Sequence, residues 1–549
     1  MDGVPQDKLN ATTTRPPPIG GLNKKDPLDA MPPTDAIRLL NWIPDNGLRA
    51  RKGYQEWAIN FPGPRPVKTI TGWFGPTTAI AAGSLDNPTS VPGKMFGVTD
   101  AGFYDITNRT NAPALSQALS GGTDAGYVSS IMMSTSGGSF LLTCSEVDGY
   151  KYFDGTTWFT PTLGAGAGQI ANIDPTFFRH VNVWKRKAWF VEQTSTRLWY
   201  LPTDSITGSA AQIDVGPLLK KGGPVSYTVN WTIDAGEGID DYLVIVSQNG
   251  EVIIYQGTDP SSATTFSLQG VYYIGETPKG RRGYCQLGGD TLLLSVNGIF
   301  PVSFITRGGS DMLSVTGNQN LVGKIGRDFS ERIGSSFNLA GWQILPYYRE
   351  ALLLCNMPNF SVYTNRQFAM NTASQGKPWT EFFNIPAVCF GVQSSYLFSG
   401  TTDGKVLIVL QGYYDSVAYG SSIGTGIYGL IQPAFDNYGT PAQVKDFHML
   451  RPNWYASSQP GWQVIMNVDY AQQDPPNSPV IPTATGSLWD GSLWDSAVWS
   501  GDPTTRFGDW TEVGAVGFVG SPAFVTAVVG GTLLMSIDYM IEQSPDPFA

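Results

Sequence analysis

The side chains that most often carry catalysis are scarce in this 549-residue chain. It has only two histidines, His180 and His448, and they fall in different predicted domains. One histidine per domain cannot form a histidine cluster for zinc or non-haem iron, and it makes a Ser-His-Asp triad improbable. No GxSxG, P-loop, HExxH or strand-associated GxGxxG motif occurs. We therefore predict that the protein is not an enzyme and has no catalytic, cofactor-binding or metal-binding residues, and that His180 packs within a strand.

Carboxylates offer one alternative chemistry, glycoside cleavage, which needs two of them a few ångströms apart. The stretch YFDGTTWF at 152–159 resembles part of the Asp-box that locks hairpin turns in sialidase-like propellers, although it occurs once and its flanks differ. Asp240 and Asp241 are adjacent, but the sequence does not place two carboxylates opposite each other, and this pair fits a turn before a strand. A carbohydrate-binding or glycoside-cleaving β-propeller of a tail receptor-binding component is kept as the alternative function.

Two short basic stretches stand out in a chain whose net charge is −11. They are PKGRRGY at 278–284 and the pair Lys220 and Lys221. Each could contact phosphate or DNA, or could be a solvated loop, which is the commoner use of such a run. Generic nucleic-acid binding needs a basic surface that displaces counterions, and this acidic chain lacks one globally. If the protein meets DNA, we expect it to guide the duplex and not to grip it.

A third basic segment, with Arg49, Arg51 and Lys52, is flanked by Trp42 and Trp57. The Asp-Asn-Gly sequence at 45–47 predicts a tight turn between two strands there. Guanidinium groups beside aromatic rings are common at protein interfaces, so this segment is predicted to form a subunit contact.

Near the C-terminus, GSLWDGSLWDSAVWSG at 486–501 repeats tryptophan at five-residue steps. Asp490 and Asp495 invite comparison with a calcium loop, but the EF-hand spacing is absent. Tight turns that tuck each ring against a sheet fit the spacing better, so we predict a structural role and no metal. The tryptophans concerned are Trp489, Trp494 and Trp499.

The cysteines are scattered and form no CxxC pair, which predicts buried free thiols. The chain opens with a polar, Pro-rich segment and not with a signal peptide, so we expect no disulfides. No apolar run approaches the ~20 residues that a membrane helix requires, so no membrane span is predicted. The cysteines are Cys144, Cys285, Cys355 and Cys389.

The elements that must position all these residues are repeated hairpins. Seven pairs of apolar, β-rich runs, each joined by a tight polar turn, recur every 46 to 59 residues. A regular period of this length built from hairpins is typical of a β-propeller, here with six or seven blades. The less regular half of each repeat is expected to supply the outer strands. The hairpins are 94–106, 139–153, 187–201, 241–255, 290–304, 350–364 and 395–409, and the expected outer strands include 127–135, 177–184, 225–233 and 271–277.

The predicted fold is therefore all-β and has three parts. Residues 1–66 form an N-terminal extended arm and docking hairpin, in which 1–33 are rich in proline, glycine and alternating charge and are expected to be disordered in isolation. Residues 67–411 form the β-propeller. Residues 412–549 form a C-terminal antiparallel β-sandwich.

The sandwich is predicted from long alternating runs. The runs at 445–457 and 462–472 are joined by the turn at 458–461 and are predicted to form a hairpin. Further strands are expected at 523–531 and 532–543. No helix of more than two turns is predicted anywhere in the chain.

The N-terminal pattern resembles a family of short-tailed bacteriophage virion proteins, the tail nozzle or tail-hub proteins, also described as head-closure and packaged-DNA stabilisation proteins. The resemblance rests on M-P-x-x-D-A-I-x-L-x-N-W-x-P at 31–44 and L-R-x-R-x-G-Y at 48–54. The S-x-W-D-x-x-x-W segment at 487–494 is also similar. The motifs cover about the first 60 residues, and the rest of the chain matches by architecture alone.

The resemblance implies a homohexameric ring in the virion, below the portal and its adaptor ring, with no active site. Such a ring surrounds a channel for double-stranded DNA, which passes without sequence-specific binding, and its narrow end stays closed until ejection. Its implied partners are the tail adaptor protein and a tail fibre or tailspike. The protein would be made in the host cytoplasm and function in the phage tail. An acidic chain with only 14 % charged residues suits this role, because phosphate is repelled from the channel wall and large permanent interfaces are apolar.

Overall fold

The computed structural model describes residues 11–63, 65–75, 83–84, 87–232, 241–262, 264–307, 320–358, 364–476, 479 and 505–543. The chain is all-β, as predicted, and divides into two compact units. Unit 1 comprises Met1–Gln55, Gln367–Ile385 and Val409–Ala549, and unit 2 comprises Glu56–Arg366 and Pro386–Ile408. Strands are numbered in chain order.

Unit 2 is a six-bladed β-propeller arrangement, which lies within the predicted range of six or seven blades. Each blade is a sheet of three or four strands that are mostly close together in the chain, but the fourth strand of the last blade, Tyr54–Ala58, comes from near the start of the described chain. In pairing order, the first blade contains β7 (Thr69–Trp73), β10 (Lys94–Thr99), β11 (Gly102–Asp105) and β12 (Ala114–Ala118), and the second contains β13 (Val128–Thr135), β14 (Gly138–Ser145), β15 (Gly149–Phe153) and β16 (Trp158–Phe159). The third blade contains β18 (Phe178–Trp184), β19 (Lys187–Glu192), β20 (Arg197–Tyr200) and β22 (Ala211–Asp214), and the fourth contains β23 (Val225–Trp231), β24 (Tyr242–Ser247), β25 (Glu251–Gly257) and β26 (Phe266–Tyr273). The fifth blade contains β27 (Tyr284–Leu287), β28 (Asp290–Ser295) and β29 (Gly298–Pro301), and the sixth contains β34 (Cys389–Gln393), β35 (Tyr396–Gly400), β36 (Val406–Val409) and β6 (Tyr54–Ala58).

Three smaller strand pairs complete unit 2. A hairpin of β30 (Gln343–Tyr347) and β31 (Leu352–Asn356) contacts β27 on one side and β34 on the other. The other two pairs are β8 (Gly83–Ser84) with β9 (Asn87–Pro88), and β17 (Ile170–Ala171) with β21 (Gly208–Ser209).

The repeated hairpins are confirmed as the second and third strands of their blades. In the fourth blade, for example, β24 pairs with β25 so that Ile245 lies opposite Ile253, and both are buried. Such strands are covered by neighbouring blades on both faces, and their apolar runs are therefore nearly continuous. For the predicted hairpin 350–364, the first run is β31, and residues 359–363 lie outside the described part of the chain.

The prediction for the outer strands was wrong in three of the four examples. Strands β13, β18 and β23 are the first strands of their blades and lie innermost, since β13 contacts both β7 and β18, and β18 contacts β23. Only 271–273, at the end of β26, lie on an outermost strand. The inner strands look irregular because they carry polar side chains that bond between blades, such as Asn182 Nδ2 to Asn230 Oδ1 at 2.8 Å.

Unit 1 is a β-sandwich of two mainly antiparallel sheets, as predicted for the C-terminal region. The sheets pack through Trp454 and Phe524, whose ring centroids are 6.4 Å apart, and Trp42 Nε1 donates across them to Thr526 Oγ1 at 3.3 Å. The first sheet contains β4 (Trp42–Pro44), β5 (Leu48–Ala50), β43 (Leu533–Gln543), β38 (Lys445–Ala456) and β40 (Thr505–Phe507) in that order, with β1 (Ala11–Arg15) on β43 and β41 (Thr511–Gly517) on β38. The second contains β32 (Arg366–Asn371), β33 (Trp379–Phe383), β3 (Asp35–Leu40), β37 (Ile427–Pro433), β42 (Gly520–Val528) and β39 (Gly461–Val468), with β2 (Gly21–Leu22) on β3.

The predicted hairpin of 445–457 with 462–472 is wrong. Strand β38 pairs with β43 and β41 in the first sheet, whereas β39 pairs with β42 in the second. The turn at 458–461 is a corner at which the chain crosses from one sheet to the other, and Gly530 and Gly531 mark a similar corner between β42 and β43. A hairpin and a sheet-to-sheet corner share the same local turn chemistry, and the pairing is decided by long-range contacts.

Two helices occur in unit 2, α1 (Val302–Arg307) and α2 (Gly326–Ser336). The eleven residues of α2 make three turns, so the prediction of no helix above two turns was wrong. The signal was present, because Ile325, Phe329 and Ile333 follow a four-residue step and are buried. Arg332 also pairs with Asp328 one turn away at 2.7 Å. Short 3-10 turns lie at Pro175–Phe177, Gly216–Leu218 and Tyr348–Glu350.

The N-terminal segment belongs to the body of unit 1. Strand β1 pairs along its whole length with β43, and Asn23 donates to Asp35 at 2.8 Å inside the fold. The predicted extended arm at 1–33 is thus extended over 11–15, but it folds onto its own chain. The structure also groups the chain differently from the predicted divisions at 66 and 411, because strands from both ends of the sequence share the sheets of unit 1.

Candidate functional site at the mouth of the propeller

One end of the propeller holds a cavity of about 380 Å³ in unit 2, here called the mouth cavity. In an antiparallel blade, the start of the first strand and the turn between the second and third strands lie at the same end of the sheet. The cavity is built from such segments of successive blades. They include 123–129 before and within β13, 146–147 after β14, 224–226 around the start of β23, and 278–282 before β27.

Residues 278–282 of the predicted basic run 278–284 line this cavity. Lys279, Arg281 and Arg282 all line it, so the run is neither a fully solvated loop nor a remote surface patch. An adjoining cavity of about 340 Å³ shares Lys279 and adds Lys68. Four cations from two separate loops therefore converge in a chain that is acidic overall.

Three carboxylates partly neutralise these cations. Asp124 accepts from Lys279 Nζ at 3.0 Å and lies 3.6 Å from Lys68 Nζ, so two lysines share it. Lys68 also bonds Asp100 at 2.8 Å. Glu146 accepts from Arg281 Nε at 2.7 Å, and Arg281 donates in addition to the Ser226 carbonyl.

Arg282 is the cation with no carboxylate partner among the described residues. Its Nη1 donates to the Lys68 carbonyl at 3.0 Å, and its buried Nη2 has no hydrogen-bond partner. The guanidinium lies 5.2 Å from the ring centroid of Tyr127, and Lys68 Nζ lies 5.1 Å from the same ring. Burial raises the pKa of Tyr127 to about 12, with Arg282 opposing that rise, so the ring stays neutral between two cations.

His180 lies on β18 and is fully buried, as the sequence predicted for a packed strand residue. Its Nε2 is 3.0 Å from the Tyr284 hydroxyl, and its Nδ1 has no partner. Burial, and secondarily Arg281, lowers the pKa of His180 to about 3. A ring held neutral in this way does not exchange protons near neutral pH.

The glycosidase alternative requires an unobstructed pair of carboxylates. The mouth cavity has two, Asp124 and Glu146, and each is engaged by a lysine or arginine. Of the predicted pair, Asp241 bonds Lys185 at 3.3 Å, and Asp240 lies outside the described residues. The Asp-box-like stretch is a hairpin turn in which Asp154 accepts from the backbone of Thr156 and Thr157.

The other basic segments have structural roles. The backbone amides of Lys220 and Lys221 donate to the Glu251 carboxylate at 3.0 and 2.8 Å. The turn at 45–47 joins β4 and β5 as predicted, but Arg51 is fully buried in unit 1, where it pairs with Asp415.

The predicted subunit contact at this basic segment is therefore wrong for its central residue and for its two rings. Trp42 is 0 % exposed and Trp57 is 1 % exposed, so both rings are core residues. Arg49 and Lys52 are half-buried.

The remaining predicted residues are also accounted for. All four cysteines are buried free thiols, as predicted. His448 lies in unit 1, where its Nε2 is 3.2 Å from Glu542. The tryptophan repeat with Asp490 and Asp495 lies outside the described residues. In the described part of the chain, no group of three or more metal-ligating side chains comes together, and no helix is long and apolar enough to cross a membrane.

Sequence analysis did not identify Lys68, Asp124, Tyr127 and Glu146 as members of a site. Lys68 precedes the first blade and the other three flank strands of the second, and no local pattern marks any of them. The only sequence signal for this region was the basic run at 278–284 in an acidic chain.

Comparison with known proteins adds only a general likeness of fold. No family model matches the chain, and no curated protein matches its sequence. The extracellular domain of a putative hybrid two-component system from B. thetaiotaomicron is similar with a TM-score of 0.40 and 9 % identity, over 68 % of this chain and 40 % of that one. Saccharomyces cerevisiae Sqt1 aligns with a TM-score of 0.38 and 13 % identity, over 70 % of this chain and 96 % of its own. YCF48 from Cyanidioschyzon merolae aligns with a TM-score of 0.35 and 11 % identity, over 65 % and 98 %. Likeness at this level indicates nothing about activity or partners.

Proposed function

We propose that this chain is a structural virion protein that forms the tail nozzle ring of a short-tailed bacteriophage. In this proposal six copies surround the DNA channel below the portal and adaptor, seal it while the genome is packaged, and open for ejection. The ring also offers docking surface for tail fibres or tailspikes. The observation that carries the proposal is the pair of motifs at 31–44 and 48–54, together with the part their residues play in unit 1.

Three polar residues of those motifs, Asp35, Asn41 and Arg51, are buried, and Asn41 and Arg51 donate to backbone carbonyls of other segments. Asn41 donates to the carbonyls of Phe383 at 3.0 Å and Tyr428 at 2.7 Å, and its Oδ1 accepts from Arg51 at 2.8 Å. Asp35, in the first motif, is 0 % exposed. Polar side chains that are buried and bonded to the backbone stabilise a fold and do not act on a substrate. This role agrees with a family of structural proteins that function by assembling into a ring.

Charge and composition support the same proposal. A net charge of −11 keeps a DNA duplex away from most of the protein surface, which suits rapid passage through a channel. Only 14 % of residues are charged, and extensive permanent interfaces are depleted in charge. A six-fold ring would be closed by one heterologous contact repeated around the axis.

The test is the native mass of the purified 59.3 kDa chain, with and without its head-side adaptor, by mass photometry and negative-stain imaging. We expect six-fold rings with a central channel, formed alone or on the adaptor. A chain that stays monomeric in both conditions, or that forms a trimer, would overturn the proposal and return weight to the carbohydrate-binding alternative.

A second measurement addresses the proposed relation to DNA. Binding to duplex DNA should be weak even at low salt and independent of sequence, because an acidic surface releases few counterions. Tight or sequence-specific binding would contradict a channel that DNA must leave quickly.

A further inference from the structure

We infer that the mouth cavity binds a small hydroxylated organic anion, of the class of sugar acids and sugar phosphates. This inference concerns a single propeller and does not depend on ring assembly. It rests on the charge balance of the cavity, on the polar groups that face it, and on its size.

The charge balance favours an anion. Lys68, Lys279, Arg281 and Arg282 meet only three carboxylates, and the missing partner is that of Arg282. A ligand in the cavity would not touch the buried Arg282 Nη2. The uncompensated positive charge of the Arg282 guanidinium would nevertheless attract an anion, because the protein between them has a low dielectric constant. An anion in the cavity would supply the counter-charge that the described protein groups do not.

Lys279 is the cation best placed to touch such an anion. Its side chain is 49 % exposed, whereas those of Lys68 and Arg281 are 11 % and 15 % exposed. Its partner Asp124 is shared with Lys68, so the lysine ammonium is only partly neutralised. Lys279 lies on both adjoining cavities, which gives its amino group access to a ligand in either.

The rim favours a ligand with hydroxyl groups. The side chains of Thr194, Gln248 and Asn338 line the cavity, are exposed, and form no hydrogen bond with any described residue. Amides and hydroxyls that are free in this way can donate to and accept from a polyol. A volume of about 380 Å³ lies in the range of small-molecule sites and excludes a DNA duplex from the interior.

The experiment is isothermal titration calorimetry of the full chain with galacturonate, glucose 6-phosphate, inorganic phosphate and neutral glucose. We expect the sugar acid or the sugar phosphate to bind, glucose to bind at least tenfold more weakly, and added sodium chloride to weaken the binding. Preference for galacturonate identifies a carboxylate ligand, and preference for glucose 6-phosphate identifies a phosphate ligand. Either preference supports the inference. Inorganic phosphate binding as tightly as both sugar derivatives would overturn the polyol part, and no binding of any anion would overturn the whole.

Two substitutions locate the site. Lys279→Glu should weaken binding of the preferred anion roughly tenfold or more, because it replaces a charged donor by a repelling carboxylate. Lys94→Glu is the matched control, since Lys94 is 41 % exposed, pairs with Asp105 at 2.8 Å and lies on β10 outside both cavities. Equal losses in the two variants would place the binding elsewhere and contradict the inference. Both lysines are partly exposed, so we expect both variants to fold, and their melting temperatures check this.

Discussion

The guanidinium of Arg51 donates to both carboxylate oxygens of Asp415, at 2.7 and 2.6 Å, and the two side chains are 0 % and 7 % exposed. Arg51 also donates to Asn41 Oδ1 and to the Phe383 carbonyl. Burial raises the pKa of Asp415, and the Arg51 guanidinium opposes that rise. Unit 1 is thus held together by a charged pair whose members lie 364 residues apart in the sequence.

We expect Asp415→Asn to destabilise unit 1 by about 3–5 kcal/mol, because it leaves the Arg51 charge buried without a counter-charge. Asp474→Asn is the matched control in the same unit. Asp474 also pairs with an arginine, Arg38, but it is 61 % exposed, so the loss should stay below ~1 kcal/mol. Urea unfolding followed by hydrogen exchange of unit 1 amides measures both. Equal losses in the two variants would show that burial of the pair is unimportant.

Asp538 should make unit 1 sensitive to acid. Burial by itself raises its pKa, but hydrogen bonds from Asn453, Thr14 and Arg451 outweigh burial and hold the pKa below its ordinary value. A lowered folded pKa means that the stabilisation is present above the unfolded value of about 4 and is lost as pH falls through the folded pKa.

Asp538→Asn should therefore lower stability near pH 7 and reduce its decline between about pH 5 and 2. The urea midpoint of both proteins across this range measures the effect. A variant whose acid response parallels that of the parent would contradict the role of Asp538.

The turn at Gly250 should tolerate no side chain. Its φ is +85°, and a Cβ there would lie 2.0 Å from the Gly275 carbonyl oxygen. Gly250→Ala combines backbone strain with a backbone clash, and we expect a loss of more than ~2 kcal/mol. Gly288 is the control in unit 2, because its φ is +61° and nothing lies within 4 Å of its Cβ position. Gly288→Ala should lose only about 1–2 kcal/mol, and a Gly250→Ala loss no larger would refute the close approach.

The four cysteines should resist alkylation in the folded protein. Burial raises the pKa of every one of these thiols, to about 12 for Cys285, so little thiolate forms at pH 8 and reagent access is blocked. Intact mass after brief iodoacetamide treatment should show no adducts in the native protein and four after denaturation. Rapid labelling of any native thiol would contradict the buried positions.

Deleting residues 1–33 should leave unit 2 folded and abolish binding to the adaptor ring. The structure adds a further expectation, because the deletion removes β1 and exposes the edge of β43, which should raise hydrogen exchange in that strand. Deletion of residues 1–10 is the control, since it spares β1. Normal adaptor binding by the longer truncation would refute the assigned role of the segment.

The sequence by itself determined the class of fold. Seven hairpins that recur every 46 to 59 residues, each with a tight turn, indicate a propeller because the local turn chemistry and strand pattern repeat along the chain. The tight turn at 45–47 and the buried free cysteines followed from local residue types as well. These features depend on near neighbours in the chain, which a sequence displays directly.

Only the tertiary structure decided what depends on distant partners. The turn at 458–461 has the same residues whether it closes a hairpin or turns a corner between sheets, and long-range pairing of β38 with β43 made it a corner. Arg51 is a core residue because Asp415 provides its counter-charge inside unit 1. Lys279 lines a cavity together with Asp124 and Lys68, which precede strands of other blades. Which side chains are buried, which strands pair and which charged groups meet depend on contacts between residues that are far apart in the sequence. The sequence shows no local pattern for such contacts, so only the packed chain reveals them.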